Sequence, residues 1–155
     1  SLAQFQGVGR RFQLVGTIYK NGQEVPVIDD YGHHPRELEV TFNAIRGAYP
    51  GKRLVCVFQP HRYSRTRDLF DEFVSVLTVV DELVLLPVFG AGEQPIVGAE
   101  SKDIARSIRH LGACDPYIES EFTQVIDRVF ALLRSDYRQT PQQRIRRKVG
   151  RRSSF

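Results

Sequence analysis

The chain of 155 residues is 41% apolar and 26% charged, which fits a single globular domain with a hydrophobic core. Its formal charge of +4 comes entirely from six basic residues between positions 144 and 152, so the rest of the chain is slightly acidic. Nucleic-acid-binding domains usually carry basic residues across a folded face, so this distribution makes nucleic acid an unfavoured partner. The basic carboxyl terminus is predicted to be a poorly ordered end, and a nucleic-acid-binding arm is the less favoured alternative.

Neither a membrane span nor an export signal is visible in the sequence. No apolar run approaches the ~20 residues that a spanning helix needs, and the amino terminus lacks a basic segment followed by an apolar one. Cys56 lies inside an apolar run and Cys114 in a loop, without metal-ligand or redox spacing. Both cysteines are predicted to be free thiols in a reducing compartment, so we expect a cytoplasmic location.

Short β-branched runs alternate with helical patterns along the chain. An extended segment at 12–19, the turn Asn21-Gly22 and a buried strand at 25–29 predict a hairpin. Further strands are predicted at 52–58 and 82–86, and helices at 35–49, 64–78, 101–110 and 121–133. This order predicts a Rossmann-like α/β domain with a mostly parallel sheet, an N-terminal hairpin or antiparallel edge strand, and helices on both faces.

The segment Asp29-Asp30-Tyr31-Gly32-His33-His34-Pro35 follows a predicted strand and opens a helix, a position where α/β sheets bind ligands. Its two carboxylates suit ribose hydroxyls or a metal-bound water, although one of them could instead cap the helix. Its two histidines are interpreted as hydrogen-bond donors to a substrate. Zinc binding is less favoured because no third ligand has a recognisable spacing. A loop histidine bonded to a backbone carbonyl is the structural alternative.

A second segment, Pro60-His61-Arg62-Tyr63-Ser64-Arg65-Thr66, also joins a strand to a helix. Arg62 and Arg65 are three residues apart at the start of that helix, and their planar guanidinium groups match a carboxylate or phosphate. Cations at a helix amino terminus oppose the macrodipole unless an anion lies between them, so the spacing predicts an anion there. The Gly90-Ala91-Gly92 loop is a weak signal, because the sequence has neither a phosphate-loop motif nor a full dinucleotide fingerprint.

Taken in order, these segments resemble the carboxyl-terminal domain of the Mur ligases, in particular the branch that adds L-alanine to UDP-N-acetylmuramate. The resemblance covers about residues 3–136. A branch that recycles a murein tripeptide onto the same sugar is less favoured, because it lacks the 60–66 string. The matching strings are FQGVGRRFQ at 5–13, DDYGHHP at 29–35, FQPHRYSRT at 58–66 and AGEQPI at 91–96.

The resemblance implies part of an ATP-dependent ligase that makes a peptidoglycan precursor through an acyl phosphate. Its partners would be L-alanine, UDP-N-acetylmuramate and ATP, together with the N-terminal and central domains of the same enzyme. ATP and Mg²⁺ would be the cofactors, with the phosphate loop and the metal on the central domain. This third domain would close over the other two and be inactive alone. An orphan module that binds ATP or an amino acid without catalysis is the alternative from another class.

Site residues carry over one by one from the same resemblance. For ATP, Arg11 matches an arginine at the hinge between domains, Asp30 matches the acid that contacts the ribose, and Tyr31 lies near both the nucleotide and the amino acid.

For the reaction, the resemblance assigns His33, Arg62 and Arg65 to catalytic positions around the amino acid and the reacting carboxylate. His61 is expected beside them as a further substrate-binding residue. No metal ligand is implied on this chain.

The resemblance stops abruptly near residue 136. Mur ligases normally end this domain with a strand, a Gly-Ala-Gly turn and a short helix, whereas residues 137–155 form a divergent basic tail. The hypothesis is an altered reading frame or a truncation at this point. The domain is then expected to lack its last strand and helix, which leaves a sheet edge exposed.

Overall fold

The computed structural model describes residues 11–134. The predicted tail at 137–155 and most of the 5–13 string lie outside the described residues. The α/β class is confirmed. The elements are β1 (Gln13–Lys20), β2 (Gln23–Asp29), α1 (Pro35–Ala48), β3 (Val55–Phe58), α2 (Tyr63–Asp68), α3 (Phe70–Leu77), β4 (Glu82–Leu85), α4 (Ser101–His110), β5 (Tyr117–Ile118) and α5 (Phe122–Arg134).

The predicted hairpin is confirmed: β1 and β2 pair antiparallel and form a two-stranded sheet of their own. Asn21 and Gly22 both have positive φ, 49° and 73°, as a tight two-residue turn requires. The expectation that the strand at 25–29 is buried was wrong, since Val27 is 37% exposed. The reason is that β2 has β1 on one side and, among residues 11–134, no strand paired on the other.

The parallel sheet has the order β3-β4-β5, with β4 in the centre and fully buried. Successive residues of β4 point to opposite faces, so Leu83 and Leu85 join one apolar cluster and Val84 joins another. The first cluster packs the sheet against α1, α3 and α4, and the second packs it against α5. Helices on both faces were predicted, and this arrangement confirms them.

Two local features differ from the sequence expectations. The single helix predicted at 64–78 is two helices, because Leu69 adopts φ −117° and ψ 28° between α2 and α3. The apolar pattern continues through the break, which explains why periodicity did not locate it. The two-residue strand β5 was not predicted, since a strand of this length has no measurable alternation.

No helix within residues 11–134 combines the length and apolar character needed to cross a membrane. Both cysteines are free, as predicted. Burial raises the pKa of Cys56 to about 12 and that of Cys114 to about 11, so both thiols stay protonated and unreactive at neutral pH.

Candidate functional site

The two sequence segments meet at the carboxyl ends of β2 and β3. The ring centroids of His33 and His61 are 6.3 Å apart. Tyr31 meets His33 edge-on at 5.6 Å, and Phe89 lies 5.4 Å from His61. Tyr31 and Phe89 are each more than half exposed. A row of four rings therefore lies open along this end of the domain.

Asp30 organises the loop that carries the first histidines. Its Oδ1 accepts a hydrogen bond from the backbone N–H of Gly32 at 2.7 Å, and its Oδ2 accepts one from the N–H of Phe12 at 2.8 Å. A Cβ at Gly32 would lie 2.7 Å from Asp30 Oδ1, so any other residue here would displace the Asp30 carboxylate. Each carboxylate oxygen retains a further lone pair, so Asp30 remains able to accept a ribose hydroxyl.

The suggestion that an aspartate caps α1 was wrong, because His34 is the N-cap residue. Its side chain accepts from the N–H of Arg36 at 3.3 Å, and Glu37 Oε2 accepts from the backbone N–H of His34 at 3.1 Å. Glu37 also accepts from the backbone N–H of His33 at 3.0 Å, and this bond is the main cause of its lowered pKa. The N-cap-x-x-Glu spacing is a sequence signal that identifies Glu37.

Arg11 contacts the same carboxylate, with Nη2 3.4 Å from Glu37 Oε1. On the other side of Glu37, Nδ1 of His33 lies 3.2 Å from the carbonyl oxygen of Tyr31. The structural alternative, a loop histidine bonded to a backbone carbonyl, is therefore seen for His33. Because Glu37 also accepts from the backbone N–H of His33, it links Arg11, the predicted ATP-binding arginine, to His33, the predicted catalytic histidine.

Arg62 has a left-handed backbone, with φ 71°, at the N-cap position of α2. A non-glycine residue adopts this conformation only when its surroundings fix it. The N–H of Arg62 donates to Phe89 O at 2.8 Å, while its carbonyl oxygen accepts from Thr66 Oγ1 at 2.9 Å and from Thr66 N–H at 3.1 Å. Because Thr66 is fully buried, these bonds fix the direction in which Arg62 leaves the sheet.

A carboxylate of this chain, that of Glu93, lies at the start of α2. Glu93 accepts from Ser64 Oγ at 2.6 Å and from Ser64 N–H at 2.9 Å. The Ser64 hydroxyl is the largest cause of the lowered pKa of Glu93, and the charge of Arg62 contributes. Sequence reasoning missed Glu93, because 29 positions separate it from Ser64 and no local spacing connects them.

Arg65 turns back towards His61. Its Nη1 donates to His61 O at 3.2 Å and lies 3.4 Å from His61 Nδ1. Burial, followed by the charges of Arg65 and Arg62, lowers the pKa of His61. The structure therefore gathers His33, His61 and Arg65 beside Arg62, and the two guanidinium groups supply the positive charge of this group.

The other predicted residues border this group. Arg11 and Asp30 lie on the β1 side of the first loop, and Tyr31 lies at the exposed end of the ring row. Within residues 11–134, no three histidine, cysteine, aspartate or glutamate side chains come together to hold a metal ion. The described part of the chain thus offers anion-binding groups and does not fit Mg²⁺.

An α/β domain with this site belongs to a known class of protein. The family model for the Mur ligase, glutamate ligase domain matches residues 10–140, and the chain belongs to that family. It is also similar to the UDP-N-acetylmuramate–L-alanine ligase of Psychrobacter sp. (strain PRwf-1), with 53% identity over 131 residues. That match covers 83% of this chain but only 28% of the relative, so the chain spans less than a third of the relative's length.

Two solved structures resemble the fold. One is the UDP-N-acetylmuramate-alanine ligase of Thermotoga maritima, with a TM-score of 0.56 and 25% identity over 81% of this chain and 25% of that one. The other is a murein peptide ligase from Psychrobacter arcticus, with a TM-score of 0.55 and 18% identity over 83% of this chain and 25% of that one. The second likeness concerns the fold alone.

Proposed function

We propose that the chain is the closing domain of an ATP-dependent ligase that joins L-alanine to UDP-N-acetylmuramate. The observation that carries this proposal is the meeting of His33 and His61, which brings both family segments to one open, positively charged site. The 53% identical relative bears the name of this ligase. The murein peptide ligase is a less similar neighbour at 18% identity and does not favour the tripeptide-recycling alternative.

In this proposal the positive group binds anionic reactants at the moment of domain closure. Arg65 and Arg62 neutralise the carboxylate of the amino acid and the charge that develops as its amine attacks the acyl phosphate. His61 is kept neutral by its lowered pKa and has its Nδ1 towards the Arg65 guanidinium, which can only donate. The Nε2–H of His61 would therefore donate a hydrogen bond to the carboxylate of the amino acid. Closure would also exclude water from the acyl phosphate.

Nucleotide binding is proposed for the other border of the site. Arg11 would reach the ATP phosphates across the domain boundary, Asp30 would accept a ribose hydroxyl, and Tyr31 would lie beside the nucleotide. Mg²⁺ would be held by the central domain, since the described residues here do not fit it. A cytoplasmic location, as expected from the two free thiols, is also part of the proposed function.

The test combines this chain in trans with the Psychrobacter relative truncated before its matching region. The measurement is release of phosphate from ATP that depends on both L-alanine and UDP-N-acetylmuramate. Arg65→Ala is expected to lower the rate by about 10²- to 10³-fold, as the loss of a charge-stabilising donor does. Arg67→Ala is the matched control, because Arg67 is exposed on the same helix and pairs with Asp68.

Equal rates for the Arg65 and Arg67 variants would contradict the assigned role of Arg65. Binding of ATP or L-alanine by the wild-type chain, without ligation in the combined system, would replace the proposal with a non-catalytic binding module.

A further inference from the structure

One ring in the row of four has no polar atom. Tyr31 has a phenolic hydroxyl, and His33 and His61 have imidazole nitrogens. Phe89, at the other end of the row, is hydrocarbon throughout, and its centroid lies 5.4 Å from that of His61 with 35° between the ring planes. Because Phe89 is 54% exposed, it presents an apolar ring at the edge of the positively charged group.

The backbone of Phe89 is fixed on both sides. Its N–H donates to Pro60 O at 2.9 Å, and its carbonyl oxygen accepts from the N–H of Arg62 at 2.8 Å. Phe89 and His61 thereby form a parallel bridge. At the next residue, Gly90, a Cβ would lie 2.8 Å from a backbone oxygen of the same loop, so this close approach leaves little room for the loop to shift. The Phe89 side chain is therefore held in place by the segment that carries His61 and Arg62.

The packing of the domain does not account for this ring. Within residues 11–134, Phe89 belongs to neither of the apolar clusters that pack the sheet, whereas the preceding residue, Val88, is buried. Single exposed apolar side chains are common on protein surfaces. This one differs because its backbone is fixed and it lies beside His61, a predicted substrate-binding residue. Its position suits contact with a bound molecule.

The proposed function indicates which part of the substrate comes near Phe89. It places the carboxylate of the amino acid on the Nε2–H of His61 and on Arg65. The side chain of an α-amino acid is attached to the carbon next to the carboxylate, so it lies within reach of the rings on either side of His61. Those rings are His33 and Phe89. An apolar side chain against His33 would cover polar nitrogen atoms, whereas against Phe89 it covers only carbon, so Phe89 is the favoured contact.

We propose that Phe89 selects the side chain of the amino acid, by packing its ring against a single methyl group. The inference rests on the proposed function, which supplies the position of the carboxylate. The ring favours L-alanine over glycine, because glycine has no side-chain carbon to bury against it. It disfavours larger side chains, because their next carbon would enter the space that the fixed ring occupies.

The test uses the full chain combined with the truncated Psychrobacter relative, and it compares kcat/KM for L-alanine, glycine and L-valine. Phe89→Ala should lower the preference for L-alanine over glycine by about tenfold, the lower end of the effect of one carbon in an apolar pocket. It should also lower the preference for L-alanine over L-valine by about tenfold, because it opens space. Phe89→Tyr retains the ring and should retain both preferences.

Phe122→Ala is the matched control, since Phe122 is 73% exposed at the start of α5 and takes no part in the proposed site. It should change neither preference. A general loss of stability, or of docking between the domains, lowers kcat/KM for every amino acid alike and cancels in these ratios. The ratios therefore separate selection of the side chain from a structural role.

A second measurement does not depend on turnover. In NMR spectra of the combined system, the methyl protons of L-alanine should show a nuclear Overhauser effect to the Phe89 ring, identified by its loss in Phe89→Ala. This effect without any ligation would contradict the proposed function and still support the contact. Its absence from the wild-type chain would overturn the inference. Equal changes of kcat/KM for all three amino acids in Phe89→Ala would overturn it as well.

Discussion

His33 and His61 lie with their ring centroids 6.3 Å apart, yet they belong to loops that follow strands without a shared hydrogen bond. Their spacing is maintained from outside the pair. Glu37 accepts hydrogen bonds from the loop of His33, and Arg65 donates to the backbone of His61. Burial and the charges of Arg65 and Arg62 are the main causes of the lowered pKa of His61, and a positive charge on His33 adds to them.

The first prediction concerns pH. The pKa of His61 is lowered below its ordinary value of 6.5. As the pH falls, His61 is therefore protonated at a higher pH in the unfolded chain than in the folded one. The contribution of His61 to stability is therefore complete above pH 6.5 and is lost as the pH falls below it. Urea unfolding between pH 5 and 7.5 should show His61→Gln with a flatter pH dependence than wild type.

His110→Gln is the control for this measurement, since His110 is exposed at the end of α4. A His61 variant with the same pH dependence as wild type would show that burial and the neighbouring arginines do not control this proton.

The second prediction concerns Gly90, where a Cβ would lie 2.8 Å from Glu93 O and 3.1 Å from the ring of Tyr63. Gly90→Ala should lower the free energy of unfolding by about 1–3 kcal/mol, as overpacking does. Gly47→Ala is a matched control, because nothing lies within 4 Å of a Cβ there. Since Gly47 is in the last turn of α1, its replacement should stabilise by no more than about 0.5–1 kcal/mol. Denaturant melts followed by circular dichroism would give both values, and equal signs would contradict the argument.

The third prediction concerns Arg46, which joins α1 to the sheet. It donates to Lys52 O, Val79 O and Asp81 Oδ2 at 2.9–3.1 Å, and Asp81 in turn accepts from Leu54 N–H at 2.7 Å. Arg46→Met keeps most of the apolar stem but removes all three bonds.

Arg46→Met should lower the free energy of unfolding by about 1–2 kcal/mol. This is less than the sum of three hydrogen bonds, because the Arg46 side chain is 39% exposed and water screens its interactions. Arg106→Met should change it by less than about 0.5 kcal/mol, since Arg106 is 74% exposed and forms one long ion pair with Asp103. Equal losses in urea titrations of the two variants would refute the structural role of Arg46.

The fourth prediction concerns Glu93, which ties the Gly90 loop to the helix that carries Arg62 and Arg65. In Glu93→Gln the side chain has one oxygen instead of two, so it can accept only one of the two hydrogen bonds from Ser64. The substitution also removes the negative charge near Arg62. In the ligation assay, kcat should fall by roughly tenfold to hundredfold, as a displacement of about 1 Å in a positioning group does. Glu72→Gln, on the exposed face of α3, is the control.

If Glu93 has a positioning role, its replacement should also speed amide exchange at Ser64 alone. A simple loss of stability would instead speed amide exchange over the whole domain. A drop in kcat without this local change would instead assign Glu93 to the reaction itself.

Sequence reasoning predicted the elements that are long and periodic, and it predicted the hairpin because Asn21-Gly22 has few other conformations. It identified both segments of the site, since polar residues after strands are informative without knowledge of the fold. It did not find the Ser64–Glu93 link or the positive φ of Arg62. Both depend on contacts between distant parts of the chain, for which a sequence has no local pattern.

The ligand anion expected between Arg62 and Arg65 stays a prediction. Glu93 is an internal carboxylate that bonds to Ser64 and has its pKa lowered in part by the charge of Arg62. Arg65 instead donates to His61 O, so its positive charge lies beside the two histidines and is left for a ligand.

The hairpin meets the rest of the described fold through side chains, such as Lys20 over the ring of Phe130 and Lys52 at Glu24 O, without a shared strand ladder. Its local opening therefore leaves the hydrogen bonds of the β3-β4-β5 sheet intact and requires less free energy than global unfolding. The loop of His33 is held by Glu37 of α1, which packs on the β3-β4-β5 sheet, so His33 can stay beside His61 when the hairpin opens. Such an opening would instead break the hydrogen bond from Phe12 N–H to Asp30, so the Asp30 border of the site is less stable than the histidine pair.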